Sequence, residues 1–153
     1  MSASENNGHY LPDGLPAPVP EADGLSAPYW EGLRNEKLMV QQCADCGTHQ
    51  FGPEWICHNC HSFNMNWVEA EGRGTIYSWE RAWHPVHPAL RKRDGEPYIV
   101  VLVELAGSGG VRMIGNLLGD PMQEVKIGAP VEVVFEHHNE KDPAYTLAHW
   151  RVV

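Results

Sequence analysis

Four cysteines, Cys43, Cys46, Cys57 and Cys60, are the only ones in the chain of 153 residues, and they stand as two Cys-x-x-Cys pairs with ten residues between them. Two residues between the members of a pair let one tight turn present both sulfurs to a single ion, and Gly47 suits the left-handed position such a turn needs. Two turns of this kind facing each other complete a tetrahedral thiolate cage. The spacing therefore predicts a structural zinc ribbon with Cys43, Cys46, Cys57 and Cys60 as ligands. Iron fits the same sulfur cage, so spacing alone does not fix the metal. Zinc is preferred because the short link makes a compact clip and no second redox partner is visible. With no open ligand position, the ion is expected to hold structure and not to do chemistry.

Other uses of these cysteines explain less. Two disulfides would imply an oxidising compartment, whereas Met1-Ser2-Ala3-Ser4-Glu5 offers neither a basic nor an apolar leader segment. A thiol-disulfide enzyme needs one low-pKa pair and would leave the second pair without a role. His49, His58 and His61 are read as exposed polar residues around the knuckles. Elsewhere, His84 and His87 flank Pro85 and Val86, and His137-His138 stand near Glu136 and Glu140. A hydrolytic or second metal site at His84 and His87 needs a further ligand or an orienting carboxylate, and none is identifiable. His137-His138 is read as an exposed turn. No serine lies in a nucleophile elbow and no phosphate-cradling glycine loop precedes a helix.

The elements that must position the cysteines follow from pattern. Residues 1–24 carry prolines at 12, 16, 18 and 20 and little apolar periodicity, which predicts an extended or disordered arm. Residues 25–36 predict a short helix, with Pro28 in its first turn and Tyr29, Trp30 and Leu33 to bury. Residues 37–66 form the ribbon: a strand leads into the first knuckle, residues 48–51 return, and residues 63–67 lead out. Residues 67–153 form the second unit, with residues 69–74 as a joint. Five strand candidates follow, at 75–83, 98–105, 111–117, 130–136 and 146–153, with Gly107-Ser108-Gly109-Gly110 as a hairpin turn. The fold class expected is mainly β: an N-terminal helix, a rubredoxin-like zinc ribbon and a C-terminal five-stranded OB-fold barrel. A sandwich would need more strands.

The formal charge of −9, from 20 acids against 11 bases, disfavours a general polyanion binder. No apolar run approaches the length of a membrane span, and a soluble cytoplasmic protein is expected.

This order of parts resembles the zinc-ribbon/OB-fold proteins associated with acyl-CoA metabolism, a family long catalogued as a domain of unknown function. The resemblance covers about residues 26–153 and rests on Tyr29-Trp30, residues 38–47, Cys57-His58-Asn59-Cys60, Trp67, and residues 72–78, 97–105 and 127–133. It implies a noncatalytic subunit of a hetero-oligomer that stabilises a catalytic partner and shapes its acyl-CoA channel. Partners in the family are thiolase-fold enzymes, namely thiolases, sterol side-chain aldolases and polyketide-type acyltransferases, or hot-dog-fold enoyl-CoA hydratases. The segment Gln50-Phe51-Gly52-Pro53-Glu54-Trp55 departs from the proline-rich basic stretch common in relatives.

Given that resemblance, the connection from His84 to Pro97 draws attention, because Arg91, Lys92 and Arg93 stand consecutively in an otherwise acidic chain. They complement the phosphates of coenzyme A, and Trp83 and Tyr98, with Trp79 nearby, could wall an acyl or adenine site. Two other functions compete. A zinc-ribbon/OB module binding single-stranded nucleic acid would use its aromatics to stack bases, against an unfavourable charge. An autonomous hydrolase would depend on His84 and His87.

Overall fold

Pro28, whose missing N–H costs nothing in a first helical turn, begins α1 (Ala27–Arg34). Leu33 and Gly32 are the buried residues of that helix. A Cβ on Gly32 would lie 2.4 Å from Met39 Cγ and 2.9 Å from the Lys37 carbonyl, so only glycine lets the helix sit this close to the strand that follows. The computed structural model describes residues 8–10, 12–90 and 95–153.

That strand, β1 (Leu38–Cys43), is the middle of a three-stranded antiparallel sheet with β2 (His49–Gln50) and β3 (Met65–Ala70). The register pairs Leu38 with Ala70 and Cys43 with Met65. β3 therefore runs into residues 69–74, the stretch that the sequence suggested as a joint. Only Glu71-Gly72 separates it from β4 (Arg73–Ala82), and Gly72 takes φ +69°. The ladder overrides the local glycine signal, because Gly74 pairs with Leu105 on one side and Val131 on the other.

β4 is the central strand of the second sheet. With β5 (Tyr98–Leu105), β6 (Arg112–Asn116), β7 (Pro130–His138) and β8 (Tyr145–Val152) it gives the order β6-β5-β4-β7-β8. A parallel bridge between Leu117 and Trp150 closes the sheet, reinforced by the Leu118 N–H donating to the Trp150 carbonyl at 2.7 Å. This closure of five strands is the OB barrel. Strict alternation along β5 sends Ile99, Val101, Val103 and Leu105 inward, where Ile76, Met113, Leu117, Val131 and Trp150 meet them. Each such side chain contributes about 1.5–3 kcal/mol by leaving water. Leu33, Leu38, Val40 and Ala70 belong to the same apolar cluster, so helix, ribbon and barrel share one core.

The described part of the arm lies against the barrel and the ribbon of its own chain. The Tyr10 N–H donates to Glu136 Oε2 at 2.7 Å, His9 Nε2 is 3.1 Å from the His137 carbonyl, and Trp55 Nε1 donates to Asp23 Oδ2 at 3.2 Å. Strand β7 extends to His138, which is buried and not the exposed turn expected from its neighbours. The arm supplies the cover that local sequence did not reveal.

Gly74 sets the tightest test of this packing, since a Cβ there would stand 2.3 Å from the Glu104 carbonyl oxygen and 2.7 Å from Val103 Cγ1. Gly74→Ala is expected to lower stability by about 1–3 kcal/mol. The drop is read as a lower urea midpoint at unchanged m-value.

Candidate metal centre

Strand β1 delivers Cys43 to the first knuckle, and the two knuckles are built alike. In the first, the Cys43 carbonyl accepts from the Gly47 N–H at 2.9 Å and the Cys43 N–H donates to the Thr48 carbonyl at 2.9 Å. In the second, the Cys57 carbonyl accepts from the His61 N–H at 2.9 Å and the Cys57 N–H donates to the Ser62 carbonyl at 2.8 Å. The residue after each pair closes the turn in the left-handed region, Gly47 at φ +75° and His61 at φ +62°. His61 is thus a turn residue standing where glycine would be the easier choice.

These turns bring all four sulfurs within 4.8 Å of one another, with Cys43 Sγ 3.6 Å from Cys60 Sγ and Cys46 Sγ 3.6 Å from Cys57 Sγ. A tetrahedral zinc about 2.3 Å from each sulfur needs sulfurs about 3.8 Å apart. The donor set fits that ion. Cys43 and Cys57 are buried while Cys46 and Cys60 face outward. The Asn59 N–H points at Cys57 Sγ from 3.4 Å, and Asn59 Nδ2 lies 3.7 Å from Cys46 Sγ, the kind of donors that steady a thiolate. Hydrogen bonds from Thr48 and Asn59 pull the Cys46 thiol down to about 5. At Cys60 the Ser62 backbone also favours the thiolate, but crowding by the other sulfurs outweighs it and pushes the group up to about 12. Four sulfurs this close cannot all ionise without a cation between them.

Two buried amides hold the loop between the knuckles. Gln41 Oε1 accepts from the Glu54 N–H at 2.9 Å and from Gln50 Nε2 at 3.1 Å, while Gln41 Nε2 donates to the Glu54 carbonyl at 3.0 Å. Gln50 Oε1 accepts from the His58 N–H at 3.0 Å, just after the third ligand. Asp45 ties the first knuckle to the second: Ser62 Oγ donates to it, as does Asn64 Nδ2 at 3.2 Å, and these bonds hold its carboxyl below the ordinary range. Nothing in a linear reading singles out Gln41, Gln50 or Asp45; their partners are set by the fold.

The remaining candidates fall in different places. Trp83 lies on the rim of an open cavity of about 440 Å³ with His84, Pro85, Val86, Leu90, Gly95 and Glu96. Tyr98 pairs with Ala82 in the ladder beside it and does not line that cavity. Trp79 pairs with inward-facing Val101 yet stays partly open to solvent, with the Arg81 guanidinium 5.2 Å from its ring. Arg91, Lys92 and Arg93 lie outside the described residues. His87 Nδ1 accepts from the Ala89 N–H at 3.2 Å, bracing its own loop, and neither His84 nor His87 joins a cluster of three ligating side chains among the described residues.

Residues 30–66 match the family model described as the ChsH2 rubredoxin-like zinc ribbon domain, and residues 67–136 match that of the ChsH2 C-terminal OB-fold domain. A solved chain described as "Ltp2-ChsH2(DUF35) aldolase" is 36% identical with a TM-score of 0.72, over 89% of this chain and 98% of that one. A probable enoyl-CoA hydratase alpha subunit of Thermomonospora curvata is 37% identical over 134 residues, which are 88% of this chain and 39% of the relative. The 3-oxo-4,17-pregnadiene-20-carboxyl-CoA hydratase alpha subunit of Mycobacterium tuberculosis is 31% identical over 137 residues, 82% of this chain and 42% of the relative. The chain thus spans about two fifths of the length of these hydratase subunits.

The geometry predicts one zinc per chain, with four sulfur neighbours at about 2.3 Å by X-ray absorption. Cys57→Ser is expected to lose stoichiometric metal and to loosen the ribbon. His61→Gly should keep the metal and raise stability by up to about 1 kcal/mol, because it relieves a strained backbone position; loss of zinc in that variant would make His61 a ligand.

Proposed function

Because the chain belongs to the ChsH2 family of zinc-ribbon/OB-fold (DUF35) proteins, we propose that it is a noncatalytic subunit of a hetero-oligomeric, cytoplasmic complex that processes acyl-CoA thioesters. A thiolase-like carbon-carbon lyase is the proposed partner. The observation that carries this reading is the end-to-end match to the chain described with an Ltp2 aldolase, 98% of which is covered at 36% identity.

The barrel surface supports it. Tyr77 and Trp79 on β4 and Ile114 on β6 are exposed, Ile114 by 66% of its surface. Ile114 lies across from Leu102 on the outward face of the sheet, and Arg112, two residues before Ile114 on that same face, reaches the Tyr77 ring, so Tyr77 and Ile114 share this face. Arg112 stacks on Tyr77 with its guanidinium carbon 3.5 Å from the ring centre and pairs with Glu104 at 3.2 Å, leaving an apolar face rimmed by an ion pair. Such a face suits a protein partner better than water.

In this reading the partner breaks the carbon-carbon bond, while the zinc ribbon holds the shape of the shared surface. The connection after β4 is proposed to meet the coenzyme A end of the substrate, with Trp83 and Tyr98 as apolar wall and Arg91, Lys92 and Arg93 on the phosphates. Glu96 lines the Trp83 cavity, so the phosphates are not expected beside that carboxylate. A hot-dog-fold enoyl-CoA hydratase is the second reading, favoured by the two relatives described as hydratase alpha subunits. Single-stranded nucleic acid is disfavoured by the net charge of −9.

Co-expression with candidate lyase and hydratase subunits, followed by assay of each purified complex for retro-aldol cleavage and for hydration, tests the proposal. The isolated chain should be inert and should raise the lyase activity of its partner at least tenfold. Equal partner activity with and without it overturns the reading, and stimulated hydration alone selects the second one. Within an active complex, replacing Arg91, Lys92 and Arg93 together by alanine should raise KM for acyl-CoA about tenfold or more with a smaller effect on kcat.

A further inference from the structure

The face of the barrel under the arm gathers ionisable side chains that the proposed function does not use. His9 on the arm, His138 at the end of β7 and Glu140 in the turn after it bring ligating atoms to within 4.8 Å of one another. We propose that His9, His138 and Glu140 form a second metal site, for a divalent transition ion such as zinc, distinct from the four cysteines.

His138 lies at the centre of this cluster. Its ring is 7% exposed and lies between the His9 ring, at 3.9 Å between centroids, and the Tyr145 ring, stacked at 4.4 Å and 12°. Nε2 is 2.8 Å from Glu136 Oε1, so that carboxylate fixes the tautomer with the proton on Nε2. This leaves Nδ1 as an acceptor. It is buried without a hydrogen-bond partner among the described residues, and it faces Glu140 Oε1 across 3.7 Å. A basic nitrogen and a carboxylate oxygen facing each other have no proton to share in that tautomer; a cation between them satisfies both.

His9 repeats the arrangement. Its Nε2 sits 3.1 Å from the His137 carbonyl, which leaves Nδ1 as the nitrogen it offers. Metal-bound histidines commonly donate their other N–H to a carboxylate or a backbone carbonyl, and here one has each. His137 does not compete, because Nδ1 is 2.9 Å from Thr146 Oγ1 and Nε2 is 2.9 Å from Glu36 Oε1.

Two imidazoles and one carboxylate make a borderline donor set suited to zinc, cobalt or nickel. Ligands at about 2.0–2.2 Å from a tetrahedral ion stand about 3.4 Å apart, so closure from 4.8 Å or less asks for a small movement, which half-exposed Glu140 can make. Lys141 Nζ, 3.8 Å from Glu140 Oε1 and 4.0 Å from Asp13 Oδ1, is the charge the ion must displace. A cavity of about 260 Å³ lined by Asp13, His138, Lys141, Tyr145 and Leu147 among others lies beside the site, with room for water or a small anion.

The test uses the untagged full chain with zinc in the cysteine site, titrated with Co²⁺ in metal-free buffer. The expected result is a second metal equivalent that lacks thiolate-to-cobalt charge-transfer absorption. Glu140→Gln and His9→Ala, both outside the core, should each weaken that equivalent at least tenfold while one zinc per chain stays bound to sulfur. Glu136→Gln, which removes no ligand, should weaken it 10- to 100-fold. A titration ending at one metal per chain overturns the proposal. So does a second equivalent that binds alike in Glu140→Gln and His9→Ala, because it would then belong to scattered surface histidines among the nine in the chain.

Discussion

The attraction between one cation and four thiolates is the constraint on which the rest of this structure depends. The ribbon sheet has three strands, one of them only the two residues His49–Gln50, so little hydrogen-bonded ladder is left to hold the two knuckles together. A structural zinc site supplies on the order of 10 kcal/mol toward folding, more than the local hydrophobic contacts of so small a unit. The cage fixes where β1 ends and β3 begins, and these two strands then turn Leu38, Val40 and Ala70 into the common core. The thiolates thereby help to order residues far from the metal.

From that point the architecture is carried by β4. It borders β5 along most of its length and β7 at its beginning, so the two halves of the barrel join through Arg73, Gly74 and Thr75. The absent side chain at Gly74 permits close pairing, and Trp150, fully buried, fills the space where the sheet curls round to meet Leu117. One small and one large residue thus serve opposite needs in a single fold: approach at the crossing, volume at the seam.

Much of this was legible in the chain. The paired cysteine spacing predicted the cage, and the apolar, β-branched run Tyr98–Leu105 predicted a strand, four of whose residues face inward in the structure. Those signals are local and repeat at the period of the structure they form. Where local cues failed, a distant partner decided. Glycines at 72 and 74 look like a joint until β5 and β7 are placed beside them. His61 reads as polar decoration until the symmetry of the two knuckles shows that its backbone closes a turn. Gln41 and Gln50 are buried although their type favours the surface, because loop peptides bring them the hydrogen bonds that burial demands. His138 looks exposed until the arm arrives from the other end of the chain.

That arm has a bearing on the order of events during synthesis. His9 and Tyr10 leave the ribosome early, yet the residues they bond, His137 and Glu136, lie 128 and 126 positions later. At the usual pace of translation the wait is on the order of ten seconds. The clip is complete once Cys60 emerges, so metal capture can precede the barrel while the arm is still undocked. The last strands then acquire their cover from a segment made long before them.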